Sequence, residues 1–336
     1  MNILYIPITE IMHPWYDDFV SAVNERHRVK LFDINKPAAE QFKGIDVVVE
    51  LGGSLQTREM VDSALLGGVK LWQVSGAGLN QLGVGADYFL QVGMPLTHTP
   101  GPFSAVALAE HALFLMLCFA KNFVASQKSL KARILCQPIN DELEGKTLGL
   151  VGLGASGREL AKRASAMGMR VVGLDKIGAV PATTLCDLRL DWFGDSSQLP
   201  DVLKVADYLS LHVPLTPQTR HMIDERALRL MKRSAVLVNV SRGDIVDEAA
   251  LIVALRAGTI RGSGLDVFAE EPVDPDHPLL QMENVVATPH SAGVTTGTSR
   301  RRAQALAENV DRLANGLPVL YEIKSFEKGE PQYATV

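Results

Sequence analysis

The stretch KTLGLVGLGASG, Lys146 to Gly157, decides the fold. A hydrophobic run of strand character ends in Gly152, Gly154 and Gly157 follow, and the chain continues with helical character as SGRELAKRASAMG. The next apolar run, MRVVGLD, ends in Asp175, eighteen residues after Gly157. That spacing is the fingerprint of a βαβ unit that binds a dinucleotide. Gly152 lets the strand turn tightly, Gly154 lets the backbone come close to a pyrophosphate, and Gly157 lets the helix pack on the strand. Together with Ala155 and Ser156 they open a helix whose unpaired N–H groups and positive dipole end suit phosphate. A carboxylate at Asp175 can accept hydrogen bonds from the adenosine ribose and repel a 2′-phosphate, so NAD is favoured over NADP. Lys176 directly follows and could soften that discrimination.

Strands and helices alternate on both sides of this unit, which implies α/β layering with two doubly wound parallel sheets. Upstream, strands are expected at 3–8, 28–34, 44–51, 70–76 and 94–99; downstream, at 146–152, 169–175, 208–214, 235–241, 262–268 and 284–290. Only the second series carries the glycine fingerprint. Between them lies FSAVALAEHALFLMLCFA (103–120), long enough for a short membrane span. Glu110 and His111 near its middle would be costly in lipid, with no second such segment to shelter them. A helix buried from several sides at a domain or subunit junction is expected instead. A charged helix, TTGTSRRRAQALAENVDRLANG, starts at Thr295 and ends at Gly316, a suitable C-cap. Its Arg300, Arg301 and Arg302 read first as a solvated face and second as cations that a phosphorylated substrate would need from this helix, and the last twenty residues are polar and carry no pattern.

A chain of 336 residues with 47% hydrophobic content can bury a large core, and its length suggests two domains. The net charge of −5 and a pI near 5.9 leave no basic excess for nucleic acid. Cys118, Cys136 and Cys186 are widely spaced and form no CxxC or Cys/His cluster, so neither a disulfide framework nor a metal site is indicated, and a reducing cytoplasm fits. The opening MNILYIPITE lacks a cationic n-region and cleavage site and reads as a first strand.

Three separated segments, NVSRG (239–243), DVFAEEP (266–272) and ATPH (287–290), each place an ionisable side chain at or just beyond the end of an apolar run. Singly, Arg242 fits a surface turn, Glu271 an acidic loop and His290 a satisfied polar residue. Together they lie near the carboxyl ends of strands in one α/β unit, where ligands of open parallel sheets bind. The trio suits a carboxylate beside a carbonyl: a guanidinium grips the anion with two hydrogen bonds, an imidazole moves a proton, and a carboxylate tunes the imidazole. His212, again at a strand end, reads as facing the cofactor, whereas His98 and His111 read as core or junction residues.

With these motifs the chain resembles the D-isomer-specific 2-hydroxyacid dehydrogenase family over nearly its whole length, most closely from Leu148 to Gly293. The resemblance implies that Arg242 binds the substrate carboxylate and polarises the carbonyl, that His290 delivers the proton as hydride arrives from NADH, and that Glu271 pairs with His290 and favours its imidazolium. It places Val240 and Asp266 near the nicotinamide and His212, Val213, Pro214 and Thr219 around the adenosine side. VSGAGLNQL is similar to the family's substrate loop, so Ser75, Gly76 and Ala77 would offer backbone N–H groups to the substrate carboxylate. The family also implies a split chain: residues 1–101 and 294–336 form a flavodoxin-like substrate domain around an inserted Rossmann domain, 102–293, with 103–120 as hinge and dimer helix.

Three departures bear on specificity. Asn80 stands where the family often has Asp, Ala155 replaces a more usual basic residue, and ELGGSL (50–55) replaces a polar, often Arg-containing loop facing the substrate. The Gly-Gly turn supplies no cation for a phosphorylated substrate, which weighs against a phosphoglycerate dehydrogenase. The expectation is an NAD-dependent enzyme interconverting a small 2-oxo acid and its D-2-hydroxy acid, of glyoxylate or hydroxypyruvate reductase type, in a cytoplasmic homodimer. A formate dehydrogenase fits less well, since formate oxidation moves no proton to an oxygen. The alternatives are an NADH-sensing corepressor-like scaffold, from another class, and a phosphoglycerate dehydrogenase.

Overall fold

The structure, a computed structural model, describes residues 1–8, 13–52, 55–78, 82–176, 187–327 and 330–333. Asn80, Cys186 and the Gly53–Ser54 part of the ELGGSL segment lie outside the described residues. The chain divides into two compact units, Met1–Phe103 with Thr295–Val336, and Ser104–Val294.

The first unit is built on β1 (Asn2–Ile6), β2 (Arg28–Leu31), β3 (Val47–Leu51), β4 (Leu71–Ser75) and β5 (Leu96–His98), all parallel, in the order β2-β1-β3-β4-β5. That is the flavodoxin-like order, with its switch point between β1 and β3. Alternation along β1 divides the core: Leu4 and Ile6 join Val48, Trp72 and Phe89 on one face, while Ile3 and Tyr5 join Val47, Val49 and Leu71 on the other. Burial on both faces explains why the VVVEL run of β3 shows no polar alternation. Helices α1 (Trp15–Val23), α2 (Ala38–Gln41), α3 (Arg58–Leu66) and α4 (Ala86–Val92) connect the strands.

Glu50 is the exception inside that run. Fully buried, it accepts a hydrogen bond from Trp72 Nε1 (3.0 Å) and one from the Leu55 N–H (3.3 Å). Burial, only partly offset by these donors, pushes its carboxyl up to about 7. The folded state therefore holds this proton more tightly than the unfolded chain, whose reference value is 4.5. Its contribution is most favourable below that value and is lost as pH rises through about 7. Glu50→Gln should remove this dependence and raise stability at pH 8 by about 3 kcal/mol, the equivalent of the shift. Thermal melts of both proteins at pH 5 and pH 8 check this; a variant that melts lower at pH 8 would contradict it.

The second unit has seven parallel strands, β6 (Thr147–Val151), β7 (Arg170–Leu174), β8 (Trp192–Gly194), β9 (Tyr208–Leu211), β10 (Val236–Asn239), β11 (Gly262–Leu265) and β12 (Val285–Ala287), ordered β12-β11-β10-β9-β6-β7-β8. This is the dinucleotide-binding order with one strand added at the β12 edge. One face packs Val151, Leu211 and Leu237 against Leu251 and Leu255; the other packs Leu148, Leu150 and Val238 against Leu115, Phe119 and Leu160. Helices α5 (Ala105–Ala120), α6 (Phe123–Lys131), α7 (Ala155–Ala166), α8 (Leu199–Val205), α9 (Glu225–Leu230) and α10 (Glu248–Ala257) complete it. The apolar run 103–120 becomes α5, whose Leu115 and Phe119 press onto Gly264 and Gly262 of β11. Among the described residues no single helix is long and apolar enough to cross a membrane; only α5 and α6 taken together, bent by 51°, pass that test.

The chain then returns to the first unit as α11 (Thr296–Ala314), capped by the Thr295 hydroxyl, which accepts from the Thr298 N–H (3.1 Å). Three expectations need correction. Strands expected to reach 214, 241, 268 and 290 end at 211, 239, 265 and 287, because those last residues leave the ladder while staying apolar or buried, as Val240, Val267 and Phe268 do. The patternless C-terminal stretch holds an antiparallel hairpin, β13 (Ile323–Glu327) with β14 (Glu330–Tyr333), and β8 is a short edge strand that the sequence does not announce. Finally, Arg301 and Arg302 are not on a solvated face: Arg301 Nε donates to the Phe103 carbonyl (2.9 Å), and the Arg302 guanidinium lies over the Trp15 ring.

Candidate active site

The glycine loop begins where β6 ends. Gly152 has φ 98°, and a Cβ there would come within 2.5 Å of the His212 carbonyl oxygen. A Cβ on Gly157 would lie 2.0 Å from the Gly152 oxygen. Both positions therefore exclude a side chain, whereas a Cβ on Gly154 would meet nothing within 4 Å. That open side lies at the N-cap of α7, whose first two residues are Ala155 and Ser156, and a pyrophosphate fits it. At the end of β7, Asp175 accepts the Leu153 N–H (2.6 Å) and the Lys176 N–H (2.7 Å), which ties the acidic strand end to the loop. A carboxylate has further lone pairs for ribose hydroxyls. Cofactor use tests this: kcat/KM with NADH should exceed that with NADPH by about ten- to a hundredfold, the worth of one hydrogen bond to a charged group. Asp175→Ala should narrow the gap, and equal turnover with both by the unmodified protein would remove the assigned role.

His212 is buried, and its two ring nitrogens lie 3.0 Å from Ser156 Oγ and 2.9 Å from Ser210 Oγ. Burial pulls it down to about 4, so the ring is neutral near pH 7. It braces the glycine loop, and the ring has no spare nitrogen for a cofactor. Val213 and Pro214 continue from it, and Thr219 Oγ1 closes the turn by donating to the Pro214 carbonyl (2.7 Å). Val240 is buried in the unit's core beyond β10.

Arg242 follows β10, and its neighbour Gly243 permits a close approach. A Cβ there would sit 1.9 Å from the Phe268 carbonyl carbon, so only glycine lets the segment after β11 lie this near. Glu271, on that segment, accepts the Phe268 N–H on Oε1 (3.0 Å) and pairs through Oε2 with His290 Nδ1 (2.7 Å). Burial raises the Glu271 carboxyl, but the hydrogen bonds from His290 and Phe268 and the charges of His290 and Arg242 outweigh it, leaving the group below its usual range. It is therefore ionised at neutral pH. Burial lowers Arg242, and Glu271 opposes that shift; Arg242 Nη1 donates to the Ser241 carbonyl (2.6 Å). With Nδ1 committed to Glu271, His290 has Nε2 as the nitrogen open to a reactant.

The sequence reading named Asp266, but not the hydrogen bonds it makes. Asp266 is buried and its carboxylate accepts Thr288 Oγ1 (2.6 Å), the Ser291 N–H (2.8 Å) and the Ala292 N–H (2.9 Å), while its backbone oxygen accepts the His290 N–H (2.8 Å). His111 Nε2 lies 2.8 Å from the same Thr288 hydroxyl. Asp266 thus shapes the turn that holds His290 at φ 51°, and its carboxylate is spent on that task. In the first unit, Ser75 ends β4 and is buried, Gly76 is half-buried and Ala77 exposed. The Gly76 N–H is taken by the Val74 carbonyl (3.0 Å). No group of His, Cys, Asp and Glu suited to a metal occurs among the described residues.

A nucleotide-binding sheet with a histidine–glutamate pair and an arginine at its strand ends belongs to the nicotinamide-dependent oxidoreductases. The profile of "D-isomer specific 2-hydroxyacid dehydrogenase, NAD binding domain" matches residues 113–292. The D-3-phosphoglycerate dehydrogenase of Methanocaldococcus jannaschii is 34% identical over 312 residues, 91% of this chain and 57% of that protein. The glyoxylate reductase of Korarchaeum cryptofilum is 40% identical over 230 residues, 67% of each chain. The crystal structure of D-lactate dehydrogenase from Aquifex aeolicus, complexed with NAD and lactic acid, is similar with a TM-score of 0.76 and 27% identity over 94% of this chain and 96% of that one. The chain belongs to the D-isomer-specific 2-hydroxyacid dehydrogenase family, and its cofactor is NAD. It spans about half to two thirds of the length of these two curated relatives.

Proposed function

We propose that this chain interconverts a small 2-oxo acid and the corresponding D-2-hydroxy acid. When bound, NAD supplies or accepts the hydride. Arg242 binds the substrate carboxylate with two N–H groups and draws electron density from the carbonyl. His290 donates the proton to the carbonyl oxygen through Nε2, and Glu271 orients the ring through Nδ1. Ser75, Gly76 and Ala77 add backbone contacts to the carboxylate, with the Ala77 N–H foremost since that of Gly76 is engaged within the turn. On the cofactor side, Gly152, Gly154, Ala155, Ser156 and Gly157 hold the pyrophosphate, and Asp175 the ribose. His212, Val213, Pro214 and Thr219 border the adenosine, and Val240 and Asp266 the nicotinamide. The observation that carries this reading is the 2.7 Å His290–Glu271 pair with Arg242 beside it in the NAD-binding unit.

The protein acts in the cytoplasm as a homodimer, with neither nucleic acid nor membrane as a partner. Support for the dimer comes from α5, α6 and the segment after them, which expose Phe114, Phe123, Leu130, Leu135 and Ile139. The reaction is tested by following NADH absorbance with glyoxylate, hydroxypyruvate, pyruvate, phenylpyruvate and 2-oxoglutarate. Rapid oxidation with at least one acid is expected. Tight NADH binding without turnover of any of them would favour the sensor-like scaffold.

A further inference from the structure

Helix α11 runs along the first unit's sheet from its carboxyl end to its amino end. Arg302, near its start, reaches the Ser75 carbonyl where β4 finishes (3.5 Å), whereas Asp311, two and a half turns on, pairs with Arg26 and His27 beside Met1, where β1 begins. Arg302 is thus at the end of the sheet where ligands of open parallel sheets bind. Its guanidinium lies 5.7 Å from the centroid of the buried Trp15 ring. Its Nε is shielded from solvent with no hydrogen-bond partner, and among the described residues no carboxylate forms an ion pair with it. Asp18, on the neighbouring helix, is engaged by the Ser299 hydroxyl. Burial, with the like charge of Arg301, pulls Arg302 down to about 10, which leaves it a cation at neutral pH.

His98, at the end of β5, hydrogen-bonds to the backbone of Gly76 and Ala77, and burial lowers it to about 4, so this neighbour is neutral. A guanidinium with a shielded Nε and no anion among the described residues is costly in a folded chain. Its position beside the Ser75–Ala77 turn gives it a ligand to bind. In the proposed reaction, on which this inference rests, the carboxylate next to the carbonyl already has Arg242 as its partner. The ELGGSL segment contains no Lys or Arg, and its Glu50 is buried and bonded to Trp72 Nε1.

We propose that Arg302 is a specificity-determining residue that anchors a second anionic group, so that the substrate is a 2-oxo acid with a further carboxylate or phosphate remote from its carbonyl. The test compares kcat/KM for 2-oxoglutarate, oxaloacetate and 3-phosphohydroxypyruvate with that for pyruvate and hydroxypyruvate, in the unmodified protein, Arg302→Lys and Arg302→Met. The dianionic acids should lead by about tenfold or more, the worth of a hydrogen bond to a charged group. Arg302→Met should erase that lead through KM and leave the monoanionic acids within about twofold; Arg302→Lys should keep part of it. The better of the carboxylate and phosphate acids identifies the second group. A lead for monoanionic acids, or an equal loss on all acids in Arg302→Met, would overturn the proposal. A second readout needs no turnover: malonate or phosphate should raise the melting temperature of the unmodified protein and not that of Arg302→Met. If no 2-oxo acid is reduced, the proposed reaction fails, and the melts still decide Arg302, since anions that shift both proteins alike would exclude its role.

Discussion

Replacing His290 with Ala is expected to lower kcat by roughly 10²- to 10⁴-fold, the usual worth of a general acid. Substrate KM should change little, because Arg242 and its carboxylate contacts remain. The backbone adds a requirement to the experiment. His290 sits at φ 51°, where most side chains are strained by roughly 1–2 kcal/mol and Asn is tolerated. His290→Asn is therefore the companion variant: it keeps the turn and removes the proton donor. Both variants should lose kcat to a similar extent. A loss below about tenfold in His290→Asn would take His290 out of the proton-transfer role.

Arg242→Lys should lower kcat/KM by about ten- to a hundredfold, mostly through KM. A lysine offers a single charged point where the guanidinium offers a planar fork, so one hydrogen bond to the anion is lost, worth about 1.5–3 kcal/mol. The local structure magnifies the change. Arg242 is held by its bond to the Ser241 carbonyl and by the charge of Glu271, and a shorter ammonium cannot serve these and the substrate together. Unchanged kcat and KM would show that the substrate carboxylate is bound elsewhere.

How much of this was legible in the sequence follows from how far apart the interacting residues are. The glycine loop could be read directly because Gly152, Gly154, Gly157 and Asp175 serve a compact βαβ unit whose geometry is fixed by spacing. The convergence of Arg242, Glu271 and His290 could be read because each lies at or beyond the end of an apolar run. The Asp266–Thr288–His111 cluster could not, since it joins α5 to two strand ends across the sheet, and none of the three residues has a local reason to pair. Arg302 was misread for a related reason. Whether that side of α11 meets water depends on Trp15, 287 positions earlier, and a run of three arginines says nothing of what covers it. The C-terminal hairpin and β8 are short pairings without a hydrophobic period, the signal on which strand reading depends.

The reaction itself is tested most directly by its product. The best acid from the panel should be incubated with excess protein and a limiting amount of NADH, and the 2-hydroxy acid resolved on a chiral column. One equivalent of the D-hydroxy acid per NADH consumed is expected, with none formed by His290→Asn over the same interval. An L-hydroxy acid, a racemate, or NADH loss without any hydroxy acid would contradict hydride transfer in this site with His290 as the proton donor.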